Sequence, residues 1–147
     1  MASDFDPGLS PHHYPSFERR YVAGRLTKQD QRILLTGLRS ADSEAEDFKI
    51  KKLESELSGE SLFGKDSQLD RMCRAAFKAH STGEFYAISM GSDAAEVTKT
   101  IEAIPERQFT QIATSVEDPA SLKLFNVYLE KMWGYAKQLD GHLFAAS

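Results

Sequence analysis

The chain has 147 residues, of which 41% are hydrophobic and 27% charged, with a formal net charge of −4. That length suits one domain with one core. The mild acidity gives no broad electrostatic hold on DNA or anionic lipid, and no apolar run approaches the ~20 residues of a membrane span. Residues 1–8 lack a basic stretch followed by an apolar one, and the single cysteine, Cys73, has no partner for an internal disulfide. A soluble globular protein is expected, held by packing, with no nucleic-acid partner and no membrane insertion.

In chain order, residues 1–30 hold three prolines and the adjacent pair His12 and His13 without a sustained period. They predict an extended arm or strand entry, an arm of the kind that often reaches neighbours, with Phe17, Tyr21 and Val22 as its candidate interaction residues. Residues 32–37 (Arg-Ile-Leu-Leu-Thr-Gly) form a continuous apolar run closed by glycine, the pattern of a central strand covered on both faces. A polar loop over 40–47 follows. Phe48 and Ile50 alternate with Lys49 and Lys51, predicting a second strand with one wet face, and 54–63 reads as a short helix. After Gly64, Asp66 or Ser67 can cap a helix whose apolar positions Leu69, Met72, Cys73, Ala76, Phe77 and His80 keep helical spacing.

Ser81-Thr82-Gly83 ends that helix, and 85–90 supplies an aromatic-rich strand. Asp93 with Glu96 makes a capping box on sequence, Val97, Ile101 and Ile104 share a face, and Pro105 stops the helix. Residues 109–114 predict another strand. Asp118-Pro119 places an N-cap and an N1 proline before a long helix carrying Leu122, Phe125, Leu129, Met132, Trp133 and Ala136, its apolar face covered by a sheet. Gly134 within it costs about 1 kcal/mol relative to alanine and predicts a bend or a close contact. Residues 142–146 begin a last strand. This alternation predicts an α/β fold with a largely parallel or mixed sheet and helices on both faces, the arm over 1–30 preceding a core domain over 31–147.

Chemistry-bearing residues are sparse. Gly59-Glu60-Ser61-Leu62-Phe63-Gly64-Lys65-Asp66 keeps the spacing of a phosphate loop but puts Asp66 where the magnesium-binding hydroxyl belongs, and no buried strand precedes it. A nucleotide-binding α/β enzyme is therefore the alternative reading. His12 and His13 point apart in extended chain with no ligand partner at metal spacing. His80 ends an apolar stripe and His142 opens a strand, which favours packing or capping over catalysis. Cys73, on an apolar helix face, reads as a small hydrophobe. Asp140-Gly141 is a turn pair, and Trp133 with Met132 and Phe125 reads as core before it reads as a ligand pocket. No catalytic, cofactor or metal residue is expected.

Three stretches, in order, resemble the tail sheath protein of Mu-type contractile-tailed bacteriophages. The first is 32–37, the early buried strand ending in glycine. The second joins Leu62-Phe63-Gly64, Ser67, Leu69, Met72 and Ala76-Phe77 to Glu84-Phe85-Tyr86-Ala87-Ile88, similar to the family's Phe-Gly turn, capped helix and aromatic strand. The third runs from Phe109, Ile112, Asp118, Ala120, Leu122 and Leu129 through Trp133-Gly134 to Asp140-Gly141-His142 and Phe144-Ala145-Ala146, of which Trp-Gly followed by Asp-Gly-His is the most specific part. Two departures stand out: Gly91-Ser92 directly joins segments between which the family carries a long β-rich insertion, and the sequence given ends at Ser147, where the family continues into a C-terminal domain.

The resemblance implies a non-enzymatic structural subunit that polymerises helically around a tail tube and contracts to drive it into a host. It implies further partners in baseplate and tail terminator proteins, and a place in the virion tail after assembly in the bacterial cytoplasm. A baseplate or secretion-sheath component is the neighbouring alternative.

Overall fold

The computed structural model describes residues 31–79, 83–105, 109–134 and 141–145. The arm predicted over 1–30 lies outside them, as do Phe17, Tyr21, Val22, His12, His13, His80, Ala136 and Asp140.

Five strands, β1 (Arg32–Gly37), β2 (Ile50–Leu53), β3 (Glu84–Ser89), β4 (Gln111–Thr114) and β5 (His142–Ala145), form one sheet in the order β2-β3-β1-β4-β5. β1 is parallel to both β3 and β4, β4 is parallel to β5, and only β2 runs antiparallel, on β3. The α/β prediction and the central place of β1 both hold. A strand buried on both faces must be apolar at successive positions, and β1 is: Ile33 and Leu35 pack on one side, Leu34 on the other.

Among the described residues, four helices cover the two faces: α1 (Ser58–Phe63) and α2 (Gln68–Ala79) on one, α3 (Val97–Ala103) and α4 (Pro119–Trp133) on the other. The α1/α2 core gathers Ile33, Leu35, Leu53, Phe63, Leu69, Cys73 and Phe85. The α3/α4 core gathers Leu34, Tyr86, Ile88, Met90, Ile112 and Phe125. Gly37 lets α2 lie close to the sheet, since a Cβ there would meet the side chains of Leu69 and Met72 at 3.2 to 3.3 Å.

Several predicted details change. Phe48 is not in a strand; it turns the chain with φ 59° and its amide donates to the Ser89 carbonyl at 3.0 Å, so pairing starts at Ile50. The predicted capping box at Asp93 and Glu96 does not form, because Glu96 is itself the N-cap, makes no side-chain cap bond and pairs with Lys99 instead. Gly134 does not bend α4 from inside but caps its end, where the expected close contact is present, a Cβ there meeting the Lys131 carbonyl oxygen at 3.2 Å. Trp133 is not core: it is 60% exposed, because Met132, one position earlier, takes the inward direction. The caps at Ser67 and Asp118 form as predicted, Ser67 Oγ accepting from the Asp70 amide at 3.1 Å and the Asp118 carboxylate from the Ser121 amide at 3.0 Å.

Candidate interaction surface

In doubly wound sheets, ligands bind where strand order reverses, at the carboxyl ends of the strands. Here that place lies between β1 and β4, and its polar groups are already engaged. The Ser115 amide donates to the Thr36 carbonyl at 3.1 Å, Thr36 Oγ1 donates to the Ala113 carbonyl at 3.2 Å, and the Leu38 amide donates to Gln68 Oε1 at 3.2 Å.

The loop after β1 is closed by a network that sequence reasoning left as a plain polar segment. Arg39 grips Asp47 through Nε at 2.7 Å and Nη2 at 3.3 Å, and its Nη1 donates to the carbonyls of Ser40 and Ser43 at 3.1 and 2.8 Å. Ser89 Oγ donates to Asp47 Oδ1 at 2.7 Å and accepts from the Gly91 amide at 3.2 Å. The Arg39 guanidinium, with help from Ser89, holds the Asp47 carboxyl below the usual carboxylate range. The network ties the loop to the end of β3. Its donors and acceptors face one another rather than an open site.

Residues 59–63 lie inside α1, where the Ser61 amide donates to the Leu57 carbonyl at 3.2 Å and the Gly64 amide to the Glu60 carbonyl at 3.1 Å. These amides are spent on helix bonds, so they form no phosphate cradle. Gly64 answers instead to a turn: its φ is 90°, and a Cβ there would stand 2.7 Å from Ser40 Cβ. Asp66 and Asp70 serve the start of α2, the fully buried Asp70 carboxylate accepting from the Asp66 amide at 3.1 Å and from Arg74 Nε at 3.3 Å.

Cys73 is buried in the α1/α2 core, and burial pushes its thiol up to about 12. It is predominantly protonated at neutral pH and a poor nucleophile. His142 is exposed at the start of β5, its amide donating to the Thr110 carbonyl at 3.1 Å. Among the described residues, no group of three His, Cys, Asp or Glu side chains could hold a metal ion, and no helix is long and apolar enough to cross a membrane.

Among the described residues, one open feature is mainly apolar. A groove of about 430 Å³ runs between α3 and α4, lined by Ile101, Ile104, Leu124, Val127, Tyr128 and Met132, with Glu102 and Lys131 beside them. It is within the volume range of binding clefts. Val127 is 61% exposed and Leu124 43%, and burial against this wall raises the Tyr128 hydroxyl pKa. Among the described residues the sheet ends at β5, where Phe144 is 55% exposed. Periodicity assigns α4 one apolar face; that Leu124 and Val127 extend it into solvent was legible in the same residues, since they fall outside the stripe through Phe125, Leu129 and Met132. Comparison with protein-family models and with curated proteins finds no match for this chain.

Proposed function

We propose that the chain is a structural, non-enzymatic subunit of a contractile phage tail sheath, self-associating helically around a tail tube in the virion, with baseplate and tail terminator proteins as further partners. The observation that carries this reading is the use made of the polar residues together with what is left exposed. Among the described residues, Asp66, Asp70, Asp47 and Ser89 cap helices or close loops and Cys73 packs, whereas the open features include an apolar groove and the β5 side of the sheet. Exposed apolar patches rimmed by polar groups mark association surfaces, and an open sheet edge accepts an added strand. The residues of the resemblance occupy junctions that set the scaffold: Gly37 under α2, Gly64 in the turn before α2, and Asp118 at the start of α4.

In such an assembly each subunit moves as a rigid body between two packings, the contracted one lower in free energy. Negative-stain microscopy of the purified protein at high concentration tests the reading. Weak, concentration-dependent association into short stacks is the expected outcome for this chain, and uniformly dispersed single particles at every concentration would contradict the reading.

A further inference from the structure

Open head-to-tail assembly needs two different surfaces on one chain that fit each other. The fold carries such a pair on opposite faces of its sheet. The first is the α3/α4 groove, with Leu124 and Val127 at its rim. The second is Leu57, immediately before α1 on the α1/α2 face, which is 67% exposed. Leu57 stands on a shaped turn: Ser58 Oγ accepts from the amides of Glu54 and Ser55 at 3.3 and 3.1 Å, and the Ser58 amide donates to the Ser55 carbonyl at 3.0 Å. A side chain presented this way loses little freedom on docking.

One charged residue of the groove, Lys131, fits the same pairing. Leu57 is flanked by Glu54 and Glu56, whereas the α4 wall of the groove carries Lys131, and none of these three has an ion-pair partner among the described residues. Glu102 lines the groove as well, so the acidic flanks of Leu57 are expected on the Lys131 side.

We infer that the groove between α3 and α4 receives Leu57 of a second copy of this chain. The inference rests on the assembly reading above and names its contact. Because knob and groove are different patches on opposite faces, each bound pair leaves one knob and one groove free, and the contact repeats without closing. Moving a leucine side chain from water into an apolar groove strengthens association roughly 10- to 100-fold.

The experiment is sedimentation velocity on the 147-residue chain, on Leu57→Asp, on Val127→Asp, and on an equimolar mixture of the two variants. Both positions are exposed, so circular dichroism is expected to show an unchanged fold. The wild type is expected to grow with concentration and each variant to associate at least ~10-fold more weakly. The mixture is expected to form one-to-one dimers and stop there, since it contains one intact knob and one intact groove. As a second readout, Leu57→Cys and Val127→Cys chains are expected to cross-link under mild oxidation, the buried Cys73 staying silent.

Wild-type growth with undiminished association of both variants, or a mixture no better than either variant alone, overturns the inference and leaves the assembly reading standing. A wild type that stays monomeric up to about 1 mM, the weak end of specific association, overturns both.

Discussion

Gly64 has φ 90° and ψ 151°, a region that is essentially closed to other residues. A methyl group there also meets Ser40 Cβ at 2.7 Å. Gly64→Ala is expected to lower stability by about 3 kcal/mol, read as a shift in the urea midpoint. Phe125 and Trp133 make a sharper contrast, because both are aromatic and both lie on α4. Phe125 is fully buried among Leu34, Ile88 and Ile112, whereas Trp133 is 60% exposed. Phe125→Ala is expected to lose about 3 to 5 kcal/mol, and Trp133→Ala to stay within about 0.5 kcal/mol of wild type; equal losses in thermal or urea melts would show that Trp133 packs against something. Residue identity alone does not separate the two, since the spacing puts both near one helical face.

At the scale of elements, local signals set most boundaries. Asp118 and Pro119 start α4 where expected, Ser67 caps α2, and Pro105 lies just beyond α3. At β2 the misplaced boundary has a long-range cause, because bonds to distant residues outcompete local pattern. Phe48 alternates properly with Lys49 and Ile50 as a strand would, yet the Arg39–Asp47 pair and the bond from the Phe48 amide to Ser89 hold it in a turn. That clamp makes a pH prediction. The Asp47 carboxyl, beside Arg39 first and Ser89 next, is held below its ordinary value, so the folded state gives up this proton more readily than the unfolded chain. Its stabilisation is present above about pH 4 and fades as the pH falls through the lower folded value. Urea midpoints at pH 7 and pH 3 are expected to differ less for Asp47→Asn than for the wild type; an equal difference would place the acid sensitivity elsewhere, with Glu84 and Asp118, which are shifted in the same direction, as the next groups to vary.

At the scale of the whole molecule, one sheet separates two cores, and its faces differ in what they present. The α1/α2 face carries the isolated Leu57, and the α3/α4 face carries the concave apolar groove. The β2 edge has Lys51 and Lys52, charges that discourage strand addition, while β5 offers Leu143 and Phe144 without such guards. A molecule with unlike surfaces on opposite sides is suited to repetition along a line rather than to a closed pair. No single residue or helix defines a filament direction; the relation between the two faces of the sheet does.

The amino-acid sequence by itself determined the alternation of strands and helices, the central apolar run of β1, and the caps that start α2 and α4, because these depend on residues within about four positions of one another. Cys73 is likewise placed in the packed face by the apolar stripe of Leu69, Met72, Ala76 and Phe77. Long-range packing sets the strand order β2-β3-β1-β4-β5, the antiparallel β2, the clamp of Arg39 on Asp47 and Ser89, and the groove between α3 and α4. Those features join residues as far apart as Asp47 and Ser89, or Ile101 and Val127. Such partners are selected by packing and by the need of buried polar groups for a hydrogen bond, and neither leaves a period in the chain.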